Sequence, residues 1–353
     1  MNIECSTKGT SSASQGLIEL QDKSAALIHD STYPPMLHMA EYGQEFSQGI
    51  NMDRGGFGQR ADGSRYACLF DGTGGGGLES LYAAQDFTDE MLRLLRSTPF
   101  QFSDVSEIGK GFVAQLLTQC SFARPTTNFG DATCVFVDCV QEKQKGVWHL
   151  SGGALGDSGI IHIRHDGLRA HLFNTILKED KTNMCDPGGC VGRYGMLYQP
   201  DNICALSQEL AAGDFVVLAS DGLLDNLYRG AEDEVLSLIV SSPFFDRAIP
   251  EMHEHHFNHV PDPHELAKIL KPFKATSEAP TALQIATRLN HYIKFITAKK
   301  FEAFQPLLQE WLRIQSAAAK KRLSRQFSEV NHAYPGKCDD CLVIALQVIN
   351  DTQ

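Results

Sequence analysis

The chain has 353 residues, 42% of them hydrophobic and 21% charged, and a formal net charge of −12. Such a composition suits a large buried core and excludes a disordered polar chain, and the negative charge works against a sequence-independent grip on nucleic-acid phosphate. No apolar run approaches the ~20 residues that cross a bilayer, and residues 1–15 are polar, with Glu4 where a secretory signal would be basic and then apolar; a soluble, cytoplasmic protein is expected, its ten cysteines reduced.

In chain order, residues 1–15 read as a flexible leader, and Leu17 to His29 fits either a strand pair or a short helix. Gly56 to Arg60 and Arg65 to Phe70 read as two strands around the hairpin signal Asp62-Gly63. Leu81, Ala84, Phe87, Met91, Leu94 and Leu95 recur at helical spacing, as do Phe112, Leu116, Leu117 and Cys120. Short β-rich runs follow at Ala132 to Val140, Val147 to Leu155, Gly159 to Arg164 and Leu168 to Phe173, separated by turn residues as in an antiparallel meander. Phe215 to Ala219 is a wholly apolar strand, and Ala231 to Val240 a helix. Pro243 to Thr281, rich in Pro and His, reads as an insertion or surface excursion. Two helices are predicted over Thr281 to Ala298 and Phe301 to Arg325, then a closing strand over Cys341 to Ile349. Meanders with helix pairs between them predict an α+β layered protein, a single domain over 16–353 with its insertion around 243–281.

Chemistry concentrates in acidic residues at strand ends and glycine turns. They stand in Phe70-Asp71-Gly72-Thr73-Gly74-Gly75, Gly156-Asp157-Ser158-Gly159, Ser220-Asp221-Gly222-Leu223-Leu224-Asp225-Asn226 and Gly336-Lys337-Cys338-Asp339-Asp340. Carboxylates that converge in a fold need a strong compensating charge, and a divalent cation with oxygen ligands supplies one. A phosphate-loop reading of Gly72 to Gly77 fails because no Gly-Lys-Ser/Thr follows. The histidines at 253, 255, 256, 259 and 264 lack the spacing of a His-Glu-x-x-His zinc motif.

These four segments, in this order, resemble the metal-dependent (PPM, type 2C) protein serine/threonine phosphatases over about Asp53 to Val348. The resemblance implies a four-layer αββα sandwich of two antiparallel sheets flanked by helix pairs, with two Mg2+ or Mn2+ ions in a cleft at one end. It implies that Asp71 bridges both ions, that Gly72 offers its backbone carbonyl, and that Asp221 and Asp339 complete the first ion's ligands. Asp53, eighteen positions before Asp71, is the candidate for the second ion, and Asp157, Asp221 and Asp225 match a weaker third site. Asp71, Asp221 and Asp339 are thus the expected catalytic set. The implied activity is hydrolysis of phosphoserine and phosphothreonine in phosphorylated protein substrates by direct attack of a metal-bridging water. Two positions depart from the family pattern. Thr73 stands where many relatives have a histidine, and the phosphate-binding arginine is left open among Arg54, Arg60 and Arg193. A catalytically weak or inactive phosphatase-fold scaffold that binds phosphoproteins is the alternative these departures motivate.

Overall fold

The computed structural model describes residues 3–6, 16–19, 24–31, 51–73, 78–97, 107–123, 130–142, 146–173, 188–192, 196–247, 259–273 and 279–349. Their strands form two antiparallel sheets. The first contains β1 (Ile3–Ser6), β4 (Arg54–Gln59), β5 (Arg65–Gly72), β6 (Asp131–Glu142), β7 (Val147–Leu155), β10 (Cys190–Gly192), β11 (Met196–Tyr198) and β12 (Ile203–Leu210). It runs in the order β1-β4-β5-β6-β10-β11, and β7 and β12 extend it from β6. The second contains β2 (Gly16–Glu19), β3 (Ala25–Ser31), β8 (Gly159–Ile163), β9 (Ala170–Phe173), β13 (Phe215–Ala219) and β14 (Asp340–Gln347), in the order β2-β3-β14-β13-β8-β9.

Alternation along the strands sorts the side chains into layers. In β6, Val135 and Val137 join a central core with Leu27, Leu69, Leu218 and Ile344, while Cys134 and Phe136 face the other way onto the first helix pair. In β13, Val216 and Leu218 turn to the central core, and Phe215, Val217 and Ala219 to the opposite helices. Strands covered on both faces are near-continuously apolar, which is why β13 reads as Phe-Val-Val-Leu-Ala. Each large aliphatic or aromatic side chain so buried contributes roughly 1.5–3 kcal/mol before entropy is counted.

Helices α1 (Leu78–Ser97) and α2 (Glu107–Ala123) cover the first sheet through Phe87, Met91, Leu95, Val113 and Leu117. The second sheet is covered by α4 (Glu232–Ser241), α5 (Pro263–Leu270) and α6 (Ala282–Arg313), with Leu236, Ile239, Leu266, Ile285, Leu289 and Tyr292 in its core. A single helical turn, α3 (Asp221–Leu224), follows β13 directly. The result is the αββα layering that the resemblance implied. Among the described residues, no helix is long and apolar enough to cross a membrane.

Several sequence expectations are revised. Leu17 to His29, open between helix and strands, contains strands β2 and β3, which pair with each other. Ile3–Ser6, within the stretch read as a leader, forms edge strand β1 with Ile3 opposite Gln59. The two helices predicted over 281–325 divide elsewhere: α6 runs unbroken through Lys299 and Lys300 to Arg313 despite Pro306, and α7 (Ala317–Ala333) starts after a break at 314–316. Capping explains the firm start of α6, where the Thr281 hydroxyl accepts from Gln284 N–H (3.2 Å) and the Gln284 side chain accepts from Thr281 N–H (2.9 Å). Phe304 and Trp311 of α6 then pack on Leu323 and Phe327 of α7, with Cys338 beneath them. The described parts of 243–281 lie against the core, since Phe244 and Phe245 are buried and Arg288 clamps Asp246 with two hydrogen bonds of 2.8 and 2.7 Å.

Candidate metal centre

Four chain turns at the same end of the sandwich bring the acidic residues together. Asp71 is the penultimate residue of β5, opposite Thr133 of β6. Asp157 sits in the turn between β7 and β8, made possible by Gly156 at φ +99°, where a Cβ would lie 2.6 Å from the Thr133 Cβ. Asp221 opens α3 just beyond β13, and Asp339 immediately precedes β14. One carboxylate oxygen from each of Asp71, Asp157 and Asp221 lies within 4.8 Å of the other two.

The turn carrying Asp221 is pressed against the start of β14. A Cβ on Gly222 would stand 2.0 Å from the Asp340 carbonyl oxygen, so only glycine fits. Ser220 reinforces the junction, its N–H donating to the Leu342 carbonyl (3.1 Å) and its hydroxyl accepting from Leu342 N–H (3.0 Å). The Asn226 side chain ties the next layer: its Nδ2 donates to the carbonyls of Gly222 (2.7 Å) and Lys337 (2.9 Å), and its Oδ1 accepts from Lys337 N–H (2.8 Å). Tyr292 of α6 supports this residue, its hydroxyl donating to the Asn226 carbonyl (3.0 Å).

Electrostatics make the cluster unfavourable by itself. Burial raises the Asp71 carboxyl well above the usual range, and the charges of Asp221, Asp53, Asp157 and Asp339 add to it. Asp53 is 1% exposed and its Oδ2 is buried without a hydrogen-bond partner among the described residues. Burial again raises its carboxyl, with Asp340 the next cause, against a hydrogen bond from Ser220. An orphaned buried carboxylate oxygen beside several others is the donor chemistry that a hard divalent cation satisfies. The oxygens present therefore fit Mg2+ or Mn2+.

Asp71, Asp157 and Asp221 converge directly. Asp225 and Asp339 join them through a shared neighbour, the Lys337 ammonium, which hydrogen-bonds Asp221 and lies 2.6 Å from Asp339 Oδ2 and 3.4 Å from Asp225 Oδ2. Asp53 feels the charges of Asp221 and Asp339 from its position just before β4. Gly72 is buried beside Met52, against which a Cβ would crowd at 3.0 Å.

Of the three candidate phosphate arginines, Arg60 is ruled out. Its guanidinium is buried in a two-pronged bond with Asp138 (2.7 and 2.9 Å) and donates to the Leu95 carbonyl. Arg54 folds back on its own loop, donating to the carbonyls of Asn51 (2.7 Å) and Asp53 (2.6 Å). Arg193 lies outside the described residues. Thr73 donates its hydroxyl to the Asp131 carbonyl (3.1 Å), so that hydrogen is already engaged.

Sequence reasoning missed three participants. Asp340 accepts from Met52 N–H (2.7 Å) and thereby binds β14 to the segment carrying Asp53. Asn226 and Lys337 were quoted as motif letters without roles. For Asn226 the available signal was a polar residue beside Leu223, Leu224 and Leu227; Lys337, between Gly336 and Cys338, carried none.

No family model matches the chain, and no curated protein matches it. Among solved structures, it is similar to the photosystem II phosphatase PBCP, at 14% identity over 99% of each chain and a TM-score of 0.46. It is similar to the S. agalactiae serine/threonine phosphatase at 14% identity over 92% of this chain and 99% of that one, TM-score 0.46. It is also similar to the serine/threonine phosphatase Stp1 from Staphylococcus aureus at 13% identity over 92% and 94%, TM-score 0.45. Likeness at this level says nothing of chemistry.

Proposed function

We propose that the protein is a metal-dependent phosphatase that hydrolyses phosphoserine and phosphothreonine in proteins. The observation that supports it best is the gathering of Asp71, Asp157 and Asp221, from three separate turns, with carboxylate oxygens within 4.8 Å of one another. In this reading Asp71, Asp221 and Asp339 would hold one Mg2+ or Mn2+, Asp53 and Asp71 a second, with the Gly72 carbonyl serving one of the two, and Asp157, Asp221 and Asp225 a weaker third. Bound cations would supply an activated water and the positive charge that offsets a phosphate dianion in an acidic protein.

The chain's own part is to hold and orient. Asp71 lies at the end of a strand paired on both sides, and Asp221 is locked by Ser220 and the close Gly222–Asp340 contact, so both carboxylates sit on rigid elements. Proton supply to the departing alkoxide is the weak part of the machinery. A threonine hydroxyl is a poor acid at neutral pH, and that of Thr73 is committed to a carbonyl. Aryl phosphates, whose leaving group needs no such help, should be turned over faster than phosphothreonine.

The same observation at Thr73 favours a second reading, a phosphatase-fold scaffold that captures phosphorylated partners without turnover. Assays of p-nitrophenyl phosphate and a phosphothreonine peptide with Mn2+, Mg2+ or EDTA separate the two. Metal-dependent release of phosphate from the peptide supports the enzyme. No release from either substrate, with phosphopeptide binding intact, supports the scaffold.

A further inference from the structure

The metal-centre reading leaves one group unexplained: a lysine standing among the carboxylates assigned to the ions. Resting on that reading, we propose that Lys337 is a tethered cation that neutralises the cluster in the metal-free protein, and that a divalent ion binds by displacing it.

The side chain of Lys337 is only 17% exposed, and its ammonium hydrogen-bonds Asp221, pairs with Asp339 Oδ2 at 2.6 Å and reaches Asp225 Oδ2 as an ion pair at 3.4 Å. The oxygens that bind the ammonium are those assigned to the metals. A hard dication that takes carboxylate oxygens directly competes with an ammonium for the same lone pairs and repels it at this distance.

Lys337 is built to leave without disturbing the fold. Its backbone is fixed on both sides: Asn226 bonds its N–H and carbonyl, and buried Lys300 donates to the Gly336 carbonyl, where Gly336 adopts φ +78°. Only the four-carbon stem has to rotate, a motion for which lysine is suited. Without this ammonium, Asp221, Asp225 and Asp339 would lose the cation that the structure places against all three of them. Metal binding thus becomes an exchange of one cation for another, and the protein stays folded while metal is scarce.

The test is calorimetric titration of MnCl2 into the full-length, metal-stripped wild type and Lys337→Met, with phosphatase activity playing no part. Expected is at least tenfold tighter Mn2+ binding by the variant, including the extreme in which only the variant binds. Equal or weaker binding by the variant overturns the exchange while leaving the metal centre intact; absence of binding in both proteins overturns the metal centre and the exchange together. Should Lys337→Met fail to fold, the wild type itself decides. Lysine acylation followed by mass spectrometry should find Lys337 protected in the metal-free protein and modified severalfold faster with saturating Mn2+, and an unchanged rate would defeat the proposal.

Discussion

Strand β13 has an aspartate at each end, and the two could hardly live more differently. Asp214, just before Phe215, is 3% exposed and saturated with hydrogen bonds. It accepts from His162 Nε2 (2.9 Å), from the N–H and ring Nδ1 of His165 (2.9 and 2.8 Å) and from Ala211 N–H (3.0 Å). Gln208 donates to His162 Nδ1 (3.0 Å), which leaves the Nε2 hydrogen aimed at the carboxylate. Burial pushes this carboxyl up, but those donors outweigh it and hold it well below the usual range. At the other end, Asp221 faces Asp71 and Asp157, and burial together with the neighbouring acidic charges raises the Asp71 carboxyl. One end has more donors than its acid needs, and the other has more acids than its donors can serve. The first arrangement stabilises a fold, whereas the second reserves its unmet demand for something that binds.

The contrast can be broken most forcefully at Asp71. Asp71→Asn should lower metal-dependent hydrolysis by roughly 10²–10³-fold or more and leave the metal-free melting temperature unchanged or higher, because a repelling charge is removed. A folded variant with wild-type rates would remove Asp71 from the reaction. Next in size, Asp214→Ala should cost roughly 3 kcal/mol in urea unfolding, since it strands several buried donors, with little change in kcat for the molecules that remain folded. A loss of catalysis without a loss of stability would invert the comparison.

A smaller effect concerns pH. The Asp214 carboxyl is lower in the folded protein than its unfolded value of about 4. Its contribution is therefore fully present above about pH 4 and fades as pH falls towards the folded value. The stability gap between wild type and Asp214→Asn should narrow from pH 6 to pH 3 in urea titrations. An unchanged gap would mean that the carboxylate form is not what the histidines hold. The smallest effect is expected at Cys338 and Cys341. Both are buried free thiols, and burial pushes Cys338 up to about 12. Brief peroxide treatment of the native protein should leave activity and both thiols intact by mass spectrometry, although the Cys-x-x-Cys spacing around Asp339 invites the opposite guess.

What the sequence made legible were features decided locally. The hairpin at 61–64 could be read because Gly63 takes φ +91° and Asp62 bonds Ser64, chemistry written in four adjacent letters. Asp71, Asp157 and Asp221 were legible because each ends an apolar strand or occupies a glycine turn, whereas Asp53 was reached only through its spacing from Asp71. Less legible were features decided at a distance. The conformation of Ala25–Ser31 depends on pairing with 340–346, with Leu27 opposite Ile344, and nothing within the segment announces that partner. Lys337 reads as an ordinary exposed lysine until Asn226, more than a hundred residues earlier in the chain, fastens its backbone beside Asp221. The same holds for Asp214, whose partners come from a neighbouring hairpin.

Strand β14 lies between β3 and β13, so the second sheet cannot close until residues 340–347 have emerged from the ribosome. Asp339 and the Asp340 carbonyl that seats Gly222 arrive with the same stretch. A nascent chain stopped short of it has Asp71, Asp157 and Asp221 translated but no scaffold to gather them. Gathering of the acidic residues is thereby tied to closure of the second sheet, so that the site cannot assemble ahead of the fold that holds it.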